Sequence, residues 1–280
     1  MQNAAITRDY HVHSHFSTDS KASPEAMCEA AFAKGLTAIC FTDHQDLGFD
    51  DPTWFRFDPD AYFRALEPLK QAWEGRLEVH IGVELGLVPD DPRLAREAEA
   101  LARDYPWEYI IGSTHQIPVQ LDGKRCLVDP ANPADAQHSW YHFDSVRALM
   151  DVYYETVLKN IEQFDFCDTV GHIDYMNRYV PEELAPDCYE DHAAQIDRIL
   201  QAAIRKGIAI EVNTGGLYKG TGQTNPEDLI IRRYLALGGK KLRYGADAHR
   251  PEFVGYGFET LPDYTVLGSG LEYEAIGGRQ

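Results

Sequence analysis

The chain has 280 residues, 44% hydrophobic and 25% charged, which is ordinary globular usage and excludes a disordered or fibrous protein. Its 26 Lys and Arg against 45 Asp and Glu leave a net charge of -19, so it is not expected to wrap a polyanion, and no nucleic-acid partner is expected. No apolar segment precedes Tyr10 and no run approaches the roughly 18 apolar residues a membrane span needs, so neither a membrane partner nor a secretion signal is expected.

The five cysteines (Cys28, Cys40, Cys126, Cys167, Cys188) are widely spaced and never form a CxxC pair, which reads as reduced, mostly core thiols in a cytoplasmic protein. The length suits one domain over residues 1–280 and leaves the oligomeric state open. Histidine is the unusual quantity, with 11 copies.

In chain order, short β-rich runs alternate with helical patterns, as in successive βα units around a parallel sheet. A strand near 8–13 is followed by a helix capped by Ser23-Pro24 and stopped at Gly35. A strand at 38–42 precedes a helix opened by Asp58-Pro59, and a strand at 78–85 precedes a helix over 92–104. A fourth strand runs over 109–115. Residues 116–143, with Pro118, Pro130 and Pro133, break the rhythm and read as a long functional loop, a lid or substrate wall. A helix over 144–160, a strand at 168–173, a helix over 189–206 and a strand at 208–213 resume it. A Gly-rich stretch over 214–225, a helix over 226–237 and a strand at 242–246 complete about seven units.

The ends of these strands carry His11 and His13, Asp43-His44, Glu84, His115, His172, Asn213, and Asp247 with His249. Parallel strands closed into a barrel present their C-terminal ends on one rim, so these residues are expected to converge. Alternation along a strand puts Asp9, His11 and His13 on one face, and Asp247 with His249 likewise. Imidazole mixed with carboxylate, without thiolate, suits zinc, manganese or iron. Eight or nine ligands exceed the roughly four to six that one ion takes, so two or three divalent ions are expected, bridged by carboxylates such as Glu84 or Asp247. Single strand-end histidines are commonplace; many on separate strands are not, because buried charged groups are costly unless paired or metal-bound.

In the order Asp-Tyr-His-Val-His (9–13), Phe-Thr-Asp-His (41–44), Gly-Val-Glu (82–84), Gly-Ser-Thr-His (112–115), Gly-His-Ile-Asp (171–174) and Gly-Ala-Asp-Ala-His (245–249), these motifs resemble the polymerase-and-histidinol-phosphatase (PHP) superfamily. Gly-His-Ile-Asp-Tyr-Met-Asn-Arg-Tyr (171–179) and Glu-Val-Asn-Thr-Gly-Gly-Leu (211–217) are similar to its histidinol-phosphatase branch. The resemblance implies a distorted seven-stranded (β/α)7 TIM-like barrel of the α/β class around a trinuclear metal site. It implies one ion on His11, His13, Glu84 and Asp247, a second on Glu84, His115 and His172, and a third on His44 and His249. Many relatives complete the third with a histidine; this chain has Asp19.

The implied activity is hydrolysis of L-histidinol phosphate to L-histidinol and phosphate, in histidine biosynthesis, by attack of a metal-bridging hydroxide. Asp247 is the candidate to relay the nucleophile's proton. The resemblance suggests that Arg178 binds the substrate phosphate, with Lys219 and Arg243 as substitutes on position. His138, His142, His80, His192 and His15 are read as outside the site. Two alternatives remain open at this stage: a phosphoesterase of the same chemistry acting on another small phosphomonoester or nucleotide, and a non-catalytic or polymerase-associated module.

Overall fold

The computed structural model describes residues 6–51, 53–184 and 189–266. The first units are β1 (Arg8–Val12), α1 (Pro24–Ala33), β2 (Ala38–Phe41), β3 (His44–Asp46), α2 (Pro59–Trp73), β4 (Glu78–Gly86), α3 (Pro92–Asp104) and β5 (Tyr109–Ser113). A hairpin of β6 (Ile117–Leu121) and β7 (Lys124–Val128) follows, then α4 (Val146–Gln163), β8 (Thr169–Val170) and α5 (Tyr189–Lys206). The last elements are β9 (Ala209–Asn213), α6 (Gly215–Tyr218), α7 (Asp228–Ala236) and β10 (Leu242–Gly245).

Helix starts follow the caps in the sequence. Ser23 Oγ accepts the Ala26 N–H at 3.2 Å, and Asp91 Oδ1 accepts those of Arg93 and Leu94 at 2.9 and 3.1 Å. Each such cap is worth about 1 kcal/mol.

The strands run parallel in the order β1-β2-β4-β5-β8-β9-β10, with β3 added beside the upper half of β4. This is the seven-stranded TIM-like barrel of the α/β class. The circle closes near the rim, where Val12 bridges Ala248 and the His13 N–H donates to the Ala248 carbonyl at 2.9 Å. Alternation sorts the apolar side chains into two layers. Ile39, Phe41 and Ile110 join the large core under the helices, whereas Tyr10, Ala38, Cys40, Tyr109 and Ile111 pack together as a separate cluster.

Three expectations change. Asp9 does not line up with His11 and His13: a register irregularity between Asp9 and Val12 breaks the alternation. Asp9 instead accepts the N–H groups of Ala246 at 2.9 Å and Gly255 at 2.8 Å, stapling β1 to the end of the barrel. The segment 116–143 is not a structureless loop. Asp122 (φ 49°) and Gly123 (φ 74°) make a two-residue turn of left-handed residues that joins β6 to β7, and a 3-10 turn covers Pro133–His138. The Gly-rich stretch after β9 likewise contains the short helix α6.

Cys28, Cys40 and Cys126 are free thiols, and Cys28 and Cys40 are buried, as expected of reduced core residues; Cys188 lies outside the described residues. No helix among the described residues is long and apolar enough to cross a membrane.

Candidate metal centre at the barrel rim

Glu84, fully buried near the end of β4, is the hub of the rim. Its Oε1 lies 2.9 Å from His172 Nε2 and 3.3 Å from His115 Nε2, and it accepts Ser113 Oγ–H at 2.6 Å. Its Oε2 lies 3.0 Å from His44 Nδ1, 3.2 Å from His11 Nε2 and 3.6 Å from His13 Nε2. Five imidazoles from four separate stretches of chain thus surround one carboxylate. Burial opposes the charge on Glu84, but His11, His44 and His115 outweigh it and hold the carboxyl well below the ordinary range.

Asp247 closes the other side from the loop after β10, in a left-handed conformation (φ 55°) that aspartate tolerates better than most residues. Its Oδ1 lies 3.6 Å from His13 Nε2 and 3.6 Å from His249 Nδ1. Its Oδ2 faces the opposite way and takes Arg178 Nη1 at 2.7 Å and Lys219 Nζ at 3.0 Å. Burial would raise its pKa, yet Lys219, Arg178 and His11 hold it well below the usual range. Asp19, whose side chain is 42% exposed, places Oδ2 3.0 Å from His249 Nε2 and 3.8 Å from His44 Nε2.

All nine sequence-predicted ligand positions therefore meet at one rim. The donor set also passes a chemical test for a divalent metal. His11 Nε2, His13 Nε2, His44 Nδ1, His249 Nε2, Asp46 Oδ1 and Glu84 Oε2 are buried without a hydrogen-bond partner. Orphaned buried polar atoms are rare in folded proteins, and six converging nitrogen and oxygen atoms are what a set of divalent ions would satisfy. Among the described residues, four geometric groupings bring ligand atoms within 4.8 Å of one another: His11-Glu84-His172, His11-His13-Asp247, His13-His44-His249 and His44-Asp46-His115.

Arg178 sits in a 3-10 turn over Tyr175–Tyr179, just past His172. Its Nε donates to Asn225 Oδ1 at 2.6 Å and its Nη2 to Asn213 Oδ1 at 2.7 Å, so the guanidinium is locked beside Asp247. Asn213 Oδ1 also takes the Gly215 N–H at 2.8 Å, and a Cβ on Gly215 would come within 3.1 Å of both Arg178 and Asp247. Lys219 reaches this place, whereas Arg243, low on β10, donates to the Leu242 carbonyl at 3.1 Å instead.

Asp43, one of the strand-end carboxylates, turns away from the cluster to accept the Ser14 and Ser17 N–H groups at 2.6 and 3.0 Å. His15, His138 and His142 are exposed, His192 is buried on α5, and His80 lies beside Glu108, so all five stand apart from the cluster as expected.

Two carboxylates at the site were missed by sequence reasoning. Asp46 Oδ2 accepts His115 Nδ1–H at 2.8 Å, and Glu211 Oε1 accepts His11 Nδ1–H at 2.6 Å. Both carried a signal: each lies two residues from a strand-end residue already noted, His44 and Asn213, and so on the same face of its strand.

A family model described as PHP domain matches residues 9–215, nearly three quarters of the chain, and contains most of these residues. The chain belongs to the PHP domain family. Among relatives, this PHP protein is 29% identical over 243 residues to a histidinol-phosphatase of Lactococcus lactis, covering 86% of this chain and 83% of that protein. It is 28% identical over 252 residues to a Clostridium acetobutylicum protein named as a probable histidinol-phosphatase, covering 90% and 89%. A crystal structure of the Lactococcus lactis histidinol phosphate phosphatase, complexed with zinc, L-histidinol and phosphate, superposes with a TM-score of 0.77 at 24% identity. It covers 94% of this PHP chain and 92% of that one. The two structures share the barrel fold.

Proposed function

We propose that this PHP protein is a divalent-metal-dependent phosphatase that hydrolyses L-histidinol phosphate to L-histidinol and phosphate, in histidine biosynthesis. The observation that carries the reading is the Glu84-centred ring of imidazoles facing Asp247, with Arg178 and Lys219 on the far side of that carboxylate. The names of the relatives, aligned over nearly their whole lengths, supply the substrate. Residues 1–280 are read as one such domain acting in the cytoplasm, with 267–280 outside the described structure.

In this reading His11, His13, Glu84 and Asp247 hold one ion, Glu84, His115 and His172 a second, and Asp19, His44 and His249 a third. Two or three zinc, manganese or iron ions held there would offset phosphate charge and lower the pKa of water to near neutrality. Arg178 and Lys219 bind the phosphate oxygens, Arg178 through its planar fork. Asp247 takes the proton of the attacking water and passes it to the leaving alkoxide. Nothing in the scheme needs a covalent phosphoenzyme.

The test is phosphate release by the purified, metal-loaded protein from L-histidinol phosphate and from a panel of other monoesters. The highest kcat/KM is expected for L-histidinol phosphate. Faster turnover of another monoester or a nucleotide would retain the chemistry and replace the substrate, and no release from any ester would leave only a binding module.

A further inference from the structure

Glu211 has no part in the scheme above, yet it lies buried on β9 beneath the cluster, with both oxygens engaged. Its Oε1 accepts His11 Nδ1–H at 2.6 Å, and its Oε2 accepts the backbone N–H of His172 at 2.8 Å. These partners belong to β1 and to the segment just past β8; β9 pairs with β8 but is separated from β1 by β10, so the side chain reaches past a whole strand to His11.

An ionised carboxylate can only accept, so the contact at Nδ1 puts a proton there, and the neutral ring then carries its lone pair on Nε2. That Nε2 is the atom 3.2 Å from Glu84 Oε2 that has no hydrogen-bond partner.

A second feature is built around the same pair. A Cβ on Gly245 of β10 would collide with His11 Cβ and come within 2.5 Å of Glu211 Oε1. The absence of a side chain at Gly245 is what lets the Glu211 carboxylate lie against the His11 ring. Other rim histidines are held in the same sense: His115 Nδ1 lies on Asp46, and His13 Nδ1 lies 3.0 Å from Ser17 Oγ, which donates to Asp43 at 2.8 Å. Glu211 is the carboxylate that holds two ligand residues at once, as the Ser17 hydroxyl does for His13 Nδ1 and the His44 N–H at 3.1 Å.

We propose that Glu211 is a positioning residue for the metal centre: it sets the tautomer and ring plane of His11 and the backbone position of His172 together, so that both ligands are in place before an ion arrives. The inference rests on reading the cluster as a divalent-metal site. Its consequence is that loss of Glu211 weakens metal binding, with little effect on recognition of the phosphate ester.

The variant is Glu211→Gln, whose amide has one acceptor oxygen and so cannot accept from both His11 Nδ1–H and the His172 N–H; turned with its NH2 toward His11 it favours the opposite tautomer. Zinc affinity is measured by chelator competition on metal-free protein, with thermal unfolding of the same metal-free sample beside it. Zinc is expected to bind about 10- to 100-fold more weakly, the usual consequence of losing a carboxylate behind a ligating histidine. KM for L-histidinol phosphate at saturating zinc should be little changed.

A folded Glu211→Gln that binds zinc like the wild type would overturn the proposal, even if its unfolding temperature fell, because that pattern marks a structural role only. Should the variant not fold, a zinc-loaded crystal structure of the wild type decides: zinc on His11 Nε2 with Glu211 on Nδ1 supports the proposal, and zinc on Nδ1 overturns it. Wild-type protein that neither binds zinc nor releases phosphate would sink the phosphatase reading and this inference together. An active wild type with an unimpaired variant sinks the inference alone.

Discussion

Arg178 and Asp247 form a buried ion pair at 2.7 Å, both side chains at most 6% exposed, at the junction between the imidazole cluster and the mouth of the barrel. A charge pair this deep is costly to assemble, and its value lies in what it prepares. The carboxylate keeps one oxygen for the cluster, and the guanidinium is already at the mouth, clamped by Asn213 and Asn225.

Arg178→Ala is expected to raise KM for L-histidinol phosphate by roughly 10- to 100-fold, the worth of a charge-assisted forked contact. Metal content should stay at the wild-type level. Arg178→Lys should recover only part of the loss, because an ammonium cannot reach Asn213, Asn225 and the phosphate as a planar fork does. Steady-state kinetics with elemental analysis on the same samples checks both; an unchanged KM in the alanine variant would remove Arg178 from the phosphate site.

Asp19 supplies an oxygen 3.0 Å from His249 and stands partly in solvent. Asp19→Ala should lose one ion per chain, with His11, His13, Glu84, His115 and His172 still loaded, and should lower kcat by about tenfold or more. Asp19→His should hold three ions but shift the preference toward metals that favour nitrogen ligands. Ion counts equal to wild type in the alanine variant would show that His44 and His249 need no third ligand from this position.

Stripping the protein with a chelator should abolish turnover, and adding back zinc should restore it. Because ligand binding stabilises a folded state by mass action, saturating zinc at about 100 times its Kd should add about 2.7 kcal/mol per site, read as a rise in unfolding temperature. A midpoint indifferent to zinc would contradict the orphaned donor atoms of the rim.

Far from the site, Glu108 offers a pH test of the scaffold. Burial raises its pKa, but His80, Lys70 and the Ile81 N–H outweigh this and bring it down to about 2. A depressed carboxyl stabilises the fold above its unfolded pKa of about 4.3 and loses that contribution as pH falls through the folded value. Wild type should therefore exceed Glu108→Gln by on the order of 1–2 kcal/mol at pH 7, a margin discounted for partial solvent screening. The margin should shrink steadily below about pH 4.5. Urea titrations of the two proteins across that range measure it, and a gap independent of pH would assign the effect to packing instead of charge.

The amino-acid order alone determined the number of βα units, the helix caps at Ser23 and Asp58, and the placing of His11, His13, His44, Glu84, His115, His172, Asp247 and His249 at strand ends. These are local or periodic properties: a cap acts within a few residues, and alternation acts along one strand. The hairpin over 117–128 escaped because Pro118 argued against a strand, and only pairing with a partner strand overrides that local signal.

Only the closed barrel decided which atoms face which. Asp9 left the line of His11 and His13 because a register shift between β1 and β2 turned it toward backbone donors just beyond β10, a contact 237 residues distant in the chain. Glu211 became the partner of His11, 200 residues away, because two strands and a missing side chain at Gly245 brought them together. Spacing along a chain records which side of a strand a group occupies; the hydrogen-bond partner of a buried ring depends on closure of the sheet, which no local pattern encodes.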